Sequence, residues 1–175
     1  AIFINGTRLP LEELLEANTE KYTTVYSDRG KSGEPTRVSD GKIHMKEYTG
    51  EKVDKVKVYI PVFPGTNCDY DTARAFERAG AEVKLGVFKN LTGEDVIASI
   101  KEMTENIAEC HIMALAGGFS AGDEPDGSGK FIANVLNNKD VADAIHALLD
   151  RGGLMLGICN GFQALVKSGL LPYGR

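Results

Sequence analysis

Between residues 53 and 175, short apolar runs alternate with amphipathic segments, and no other feature of the sequence limits the fold as strongly. Four runs predict strands: VKVYIPVF, AEVKLGVF, HIMALAGG and LMLGI, which begin at residues 56, 81, 111 and 154. The segments between them carry apolar residues at helical spacing. Strands that alternate with helices form an open, mostly parallel sheet with helices on both faces. The sequence therefore predicts a doubly wound α/β fold.

Caps and apolar faces mark the helices. Thr92 stands three residues before Asp95, which predicts a capping box. Gly80 is placed to end the preceding helix. Apolar faces at helical spacing are formed by Ala73, Phe76 and Ala79, by Val96, Ile100, Met103 and Ile107, and by Val141, Ala144, Ile145, Leu148 and Leu149.

The first fifty residues differ from the rest of the chain. Pro10 suits a first helical turn, and Leu11, Leu14 and Leu15 would share one face of a short helix. Residues 27–42, SDRGKSGEPTRVSDGK, are rich in Gly, Ser, Pro and charge, which is typical of a linker or a surface loop. Such a segment cannot bury a core of its own. We expect a division into residues 1–52 and residues 53–175.

Composition excludes several classes of function. A net charge of −5 offers no basic surface for nucleic acid or for an anionic membrane. No apolar run is long enough to span a bilayer, and the N-terminus does not resemble a signal peptide. The three cysteines lie far apart, at 68, 110 and 159, which argues against a disulfide framework or a zinc site. We expect a cytoplasmic protein.

Glycine-rich turns follow three of the predicted strands: PGTNCD, AGGFSAGDE and GICNG. In doubly wound folds, sites form at the carboxyl ends of the strands. Three loops that converge at one edge of the sheet therefore predict a site there.

The GICNG turn has the Gly-x-Cys-x-Gly pattern of a nucleophile elbow, with cysteine as the nucleophile. Its glycines would be needed because side chains there would collide with the neighbouring strand or helix. Cys159 would lie at a helix N-terminus, which favours a thiolate. The backbone N–H of Asn160 would face a developing oxyanion. The alternative is a buried structural thiol, which is common for free cysteine.

The AGGFSAGDE turn could supply a second oxyanion donor. Gly117 and Gly118 leave backbone N–H groups free to face a ligand, and we expect the donor around Gly118 and Phe119. The alternative is an ordinary tight turn. The acidic stretch that follows, GDEPDGSGK, is predicted to be a solvated loop.

The remaining cysteines and the histidines have ordinary interpretations. Cys68 could be a second nucleophile, but no glycine follows it to shape an elbow, so it is expected in a loop that packs near the pocket. Cys110 is expected in the core or at a strand edge. None of His44, His111 and His146 falls on a loop at the carboxyl edge of the predicted sheet. A general base for Cys159 is therefore not evident.

Taken together, three motifs resemble one family. FPGTNCD, LAGGFSAGDE and GICNGFQALVKSGLLP, in this order, resemble the class I glutamine amidotransferase domain of phosphoribosylformylglycinamidine synthase, a ligase of purine biosynthesis. The resemblance begins near Val53. It implies a flavodoxin-like fold for residues 53–175. It also implies that residues 1–52 are the tail of a synthetase portion and a linker, as in the single-chain form of that enzyme.

The resemblance implies a reaction and its participants. Cys159 would attack the side-chain amide of L-glutamine, form a γ-glutamyl thioester and release ammonia. The backbone N–H groups of Gly118 or Phe119 and of Asn160 would hold the oxyanion, and Gly117 and Gln163 would belong to the same substrate-binding group. The synthetase portion of the same polypeptide would use the ammonia with ATP and Mg²⁺, and no cofactor is expected in these 175 residues.

The family's catalytic triad also contains a His and a Glu downstream of the nucleophile. That region would follow Arg175, so no His or Glu of this sequence is assigned to the triad. We expect these residues alone to form an incomplete sheet with an uncovered edge and to have little glutaminase activity.

Two other functions remain open at this point. An elbow-cysteine hydrolase or a chaperone-like protein of similar fold would carry the same turn but would not react with glutamine analogues. A docking domain without catalysis would bind a partner through an elbow that has lost its base.

Overall fold

A computed structural model describes residues 1–25, 52–123 and 128–174. The chain divides into two compact units, Ala1–Tyr48 and Thr49–Arg175, and each is described by itself. The predicted linker, residues 27–42, lies outside the described residues.

The first unit contains a hairpin that the sequence analysis did not predict. Strands β1 (Ile2–Ile4) and β2 (Thr7–Leu9) pair antiparallel, and Asn5 and Gly6 join them at φ 50° and 82°. An Asn-Gly pair is a strong hairpin signal, because both positions of a type I′ turn need positive φ. Helix α1 (Leu11–Val25) follows directly after Pro10, which confirms the predicted helix.

The second unit is built on a four-stranded parallel sheet. Its strands are β3 (Lys57–Val62), β4 (Glu82–Val87), β5 (Ile112–Leu115) and β6 (Leu154–Gly157). Their order is β4-β3-β5-β6, and each neighbouring pair runs parallel. The predicted strands and the predicted fold class are therefore confirmed.

Helices connect these strands and cover both faces of the sheet. Their bounds are α2 (Asp69–Arg78), α3 (Gly93–Glu109), α4 (Lys130–Leu136), α5 (Lys139–Asp150), α6 (Asn160–Ser168) and α7 (Leu170–Tyr173). Helix α2 packs on one face, where Ala73 meets Val58 and Ile60. The larger core lies on the other face and draws buried residues from α3, α4, α5 and α6, among them Met103, Ile132, Ile145 and Leu165.

The predicted caps of α2 and α3 are present. The Thr92 hydroxyl accepts from the Asp95 N–H at 3.1 Å, and the Asp95 carboxylate accepts from the Thr92 N–H at 3.1 Å. Gly80 follows the end of α2 at φ 89°. These caps fix where α2 ends and where α3 begins, and so they fix the connections on either side of β4.

Strand β6 lies at an edge of the described sheet. Leu154 and Leu156 on this strand are 56% and 40% exposed. The expected incompleteness of the sheet stays a prediction. None of the described helices has the length and apolar character needed to cross a membrane.

Burial in the larger core opposes the ionisation of two side chains, the Cys110 thiol and the Tyr59 hydroxyl. Cys110 is buried, which confirms the predicted packing role, and burial raises the pKa of its thiol, although Arg151 acts in the opposite direction. Burial also raises the pKa of Tyr59, although the nearby Asn106 side chain acts in the opposite direction. Each group therefore ionises at a higher pH in the folded chain than in the unfolded chain.

Stability is therefore expected to fall as pH rises above about 8.5, where an unfolded thiol begins to ionise. A raised pKa in the folded state favours folding only while the unfolded group is still protonated. Urea unfolding of the unmodified chain and of Cys110→Ala, followed from pH 7 to pH 10, measures the effect. The pH slope between about 8.5 and 9.5 should be shallower in Cys110→Ala. Equal slopes in the two proteins would contradict the assignment.

Candidate active site

Three segments meet at the carboxyl edge of the sheet: the β3 loop (residues 63–68), the β5 loop (residues 116–123) and the elbow (residues 158–160). Backbone hydrogen bonds join the first two. The N–H groups of Asn67 and Cys68 donate to Gly117 O at 3.1 and 3.2 Å, and those of Phe119 and Ala121 donate to the β3 loop, each at 2.8 Å. The predicted convergence of the glycine-rich turns is confirmed.

Cys159 occupies a strained turn between β6 and α6. Its φ and ψ are 51° and −107°, a region that residues other than glycine rarely adopt. The turn is held by two bonds, from Gly161 N to Ile158 O at 2.9 Å and from Gln163 N to Cys159 O at 3.0 Å. Cys159 is exposed, whereas Cys110 is buried. This geometry is that of a nucleophile elbow and does not fit a buried structural thiol.

The two glycines that flank the elbow have no room for a side chain. A Cβ on Gly157 would lie 2.8 Å from Gly161 O, and a Cβ on Gly161 would lie 2.2 Å from Leu115 O. The predicted collisions with the neighbouring strand and helix are therefore confirmed. Cys159 lies at the carboxyl edge of the sheet because it follows β6, and the two glycines allow α6 to start directly against β5.

Of the two candidate oxyanion donors in the β5 loop, only one has a free N–H. The Phe119 N–H donates to Gly65 O at 2.8 Å. The Gly118 N–H has no hydrogen-bond partner among the residues that the structure describes. Gly118 has φ 155°, and a Cβ on it would lie 2.4 Å from Gly65 O. Gly118 is therefore the stronger of the two candidates.

The side chain of Asn160 connects the elbow to the β5 loop. Its Oδ1 accepts from the Ser120 N–H at 3.1 Å, and its Nδ2 donates to Gln163 Oε1 at 3.3 Å. Asn160 and Ser120 are both buried. The sequence predicts a role only for the backbone of Asn160 and none for Ser120. The one available signal was the polar Ser after the glycine pair, on a loop already expected to face the elbow.

Cys68 lies beside the elbow, as predicted. Its Sγ and the Cβ of Cys159 each lie 3.6 Å from the point where a Cβ on Gly117 would be. The Cys68 Sγ and the Cys159 Cβ are therefore separated by no more than twice 3.6 Å. Cys68 is exposed and precedes α2 at φ −107°, so it lacks the strained turn of Cys159. It is an internal comparison for the reactivity of the elbow thiol.

The described histidines lie away from these loops. His111 precedes β5 at the amino edge of the sheet, where its Nδ1 accepts from the Lys57 N–H at 2.9 Å. His146 is in the middle of α5. His44 lies outside the described residues. Within residues 1–25, 52–123 and 128–174, no three His, Cys, Asp or Glu side chains form a group that could hold a metal ion.

Comparison with known proteins places these features in a family. Residues 55–175 match the family model described as "CobB/CobQ-like glutamine amidotransferase domain". The chain is 42% identical over 120 residues to the phosphoribosylformylglycinamidine synthase subunit PurQ of Dehalococcoides mccartyi, a match that covers 69% of this chain and 43% of that protein. It is 40% identical over 119 residues to the PurQ subunit of Sulfurimonas denitrificans, with 67% and 44% covered.

Among solved structures, the chain is similar to one described as the structure of PurLQS from Thermotoga maritima. The identity is 31%, the TM-score is 0.48, and the match covers 67% of this chain and 46% of that one. The chain thus spans less than half of the length of the curated relatives that it matches.

Proposed function

The chain belongs to the family of CobB/CobQ-like glutamine amidotransferase domains, and on that premise we propose that it hydrolyses glutamine for a phosphoribosylformylglycinamidine synthase. The observation that carries the proposal is Cys159, an exposed thiol in a positive-φ turn between β6 and α6. The PurQ relatives supply the pathway, which is purine biosynthesis.

In the proposed reaction, the Cys159 thiolate attacks the side-chain amide carbon of L-glutamine. The carbonyl oxygen takes the negative charge in the tetrahedral intermediate. When the C–N bond breaks, the nitrogen leaves with a proton as ammonia and a γ-glutamyl thioester remains on Sγ. Water then attacks the thioester carbon, which releases glutamate and restores the thiol.

The oxyanion needs donors that are already in position before the reaction begins. The N–H groups of Gly118 and Asn160 are the proposed pair, since the Phe119 N–H is engaged by Gly65 O. Gly117 accepts two hydrogen bonds from the β3 loop and so holds its neighbour Gly118 in place. Gln163 acts through its contact with Asn160. The described residues place no histidine on these loops, and the proposal assigns the proton transfers to none of them.

The ammonia would be consumed by a synthetase portion that binds formylglycinamide ribonucleotide. ATP and Mg²⁺ are proposed to act in that portion, as the resemblance to phosphoribosylformylglycinamidine synthase implies. Residues 1–52 are proposed to be the end of that portion and its linker. The cytoplasm, where purine precursors are made, is the proposed location.

The test is covalent labelling of the polypeptide, expressed at its natural full length, with a chloroketone analogue of glutamine. Peptide mass spectrometry should find the adduct on Cys159, and millimolar glutamine should slow its formation. Cys68 is the matched control, because it is an exposed thiol beside the same site without the strained turn. We expect at least about a tenfold preference for Cys159 over Cys68.

Three other outcomes are informative. Equal labelling of Cys68 and Cys159 without competition by glutamine would reject the proposal. Labelling of Cys159 by simple alkylating agents alone would favour an elbow-cysteine hydrolase or a chaperone-like protein. An unreactive Cys159 in a protein that binds its synthetase tightly would favour a docking domain.

A further inference from the structure

The connection between the β5 loop and the elbow differs in kind from the connection between the β3 and β5 loops. Four hydrogen bonds between backbone groups join the β3 and β5 loops. On the side of β5, the elbow is joined by a backbone hydrogen bond only to the end of strand β5, from Ile158 N to Leu115 O at 3.0 Å, and among the described residues none reaches the β5 loop itself. That junction is bridged by Asn160, whose Oδ1 accepts from the Ser120 N–H at 3.1 Å, across forty positions in the sequence.

Both partners of the hydrogen bond between Ser120 and Asn160 are buried. Asn160 is 1% exposed and Ser120 is 2% exposed, so water is not available to replace either partner. The Nδ2 of Asn160 donates to Gln163 Oε1 at 3.3 Å, one turn further along α6. Because the Ser120 N–H can only donate, the Oδ1 of Asn160 must face it, and the Nδ2 then faces Gln163.

The two proposed oxyanion donors lie on opposite sides of this bond. Gly118 is two residues before Ser120 on the β5 loop, and the Asn160 N–H belongs to the elbow. The geometry points to the Asn160 side chain as a positioning residue, which sets the distance between the Gly118 N–H and the Cys159 thiol. This inference rests on the proposed function. It concerns the side chain of Asn160, whereas the oxyanion contact uses its backbone.

If the Asn160 side chain positions the oxyanion donors, its loss should slow a reaction of Cys159 that forms an oxyanion and leave unchanged a reaction that forms none. A chloroketone analogue of glutamine develops negative charge on its carbonyl oxygen when the thiol attacks, so its rate depends on the oxyanion donors. Iodoacetamide alkylates the same thiol without forming an oxyanion, so its rate reports only the state and access of Cys159. The ratio of the two rates isolates the position of the donors.

Asn160→Leu has a similar volume and makes neither hydrogen bond. We expect it to lower the rate with the chloroketone by about tenfold to a hundredfold, the loss that follows a displacement of about 1 Å. The rate with iodoacetamide should change by less than about threefold. Asn160→Asp keeps an acceptor for the Ser120 N–H and should recover most of the ratio of the two rates.

Asn106→Leu is the matched control for the loss of a buried asparagine. Asn106 lies near the end of α3 that faces the amino edge of the sheet, and its Nδ2 has no hydrogen-bond partner among the described residues. Its replacement should therefore leave the ratio of rates unchanged and cost little stability. All proteins are compared at their natural full length and well below their Tm values.

The outcomes separate the inference from the proposed function. If the unmodified protein reacts with the chloroketone and Asn160→Leu keeps the same ratio of rates, the inference is overturned and the function stands. An equal fall in both rates, or an equal change in Asn106→Leu, overturns it as well. If the unmodified protein does not react with the chloroketone at Cys159, the proposed function fails, and the inference fails with it.

Discussion

Replacement of Gly161 with alanine is expected to destabilise the second unit by about 3 kcal/mol, at the upper end of the cost of an overpacked core. The added methyl group would lie 2.2 Å from Leu115 O and 2.7 Å from Leu115 Cβ. Because Leu115 O is part of the sheet, the amino end of α6 must move instead. Cys159 moves with it, so labelling by a glutamine analogue should fall about a hundredfold.

Urea unfolding and the labelling rate measure the two effects together. Gly93→Ala is the control, because Gly93 is the first residue of α3 and nothing lies within 4 Å of an added Cβ. That variant should be as stable as the unmodified chain or more stable by about 0.5 kcal/mol, since alanine restricts the unfolded chain. Equal stabilities for Gly161→Ala and Gly93→Ala would show that α6 does not approach β5 as closely as described.

Replacement of Cys159 with glycine is expected to abolish labelling and, at the same time, to stabilise the fold relative to Cys159→Ala. Both variants lack the thiol. Alanine must keep the φ of 51° and ψ of −107° that the turn imposes, at a cost of about 1 to 3 kcal/mol. Glycine adopts this region without strain and loses about 1 kcal/mol through its freedom in the unfolded state. The glycine variant should therefore be the more stable by about 1 kcal/mol.

The test is whether the free energy of unfolding is larger for Cys159→Gly or for Cys159→Ala. At Cys110, where φ is −85°, the order should be reversed, with Cys110→Ala more stable than Cys110→Gly by about 0.5 to 1 kcal/mol. Chemical unfolding of the four variants gives both comparisons. If Cys159→Gly were less stable than Cys159→Ala, the elbow would not be strained. In that case the placement of the thiol would have another cause.

The sheet and its helices were predictable because their signals are local. The strand β3 follows from one apolar run, and the start of α3 follows from Thr92 and Asp95, three residues apart. The hairpin of β1 and β2 was also signalled locally, by Asn5 and Gly6, but its three-residue strands are too short for a pattern of alternation to emerge. What depends on a few neighbouring residues can be read from the sequence.

The details of the site depend on residues that are distant in the sequence. Gly118 and Phe119 are equivalent donors in the sequence, and only the position of Gly65 shows that the Phe119 N–H is occupied. Similarly, Asn160 is an unremarkable polar residue at a helix start until Ser120 is placed against it. The elbow itself was predicted, but not the values of φ and ψ that make it strained.

The two kinds of junction around the β5 loop imply different histories under mutation. The β3 and β5 loops are joined by backbone groups, which almost every amino acid possesses, so drift in the sequence of either loop leaves that junction intact. The hydrogen bond between the β5 loop and the elbow depends on one side chain. Over evolutionary time, the first junction can be inherited through many different sequences, whereas the second is lost with any single substitution at Asn160 that removes the acceptor, such as Asn160→Leu.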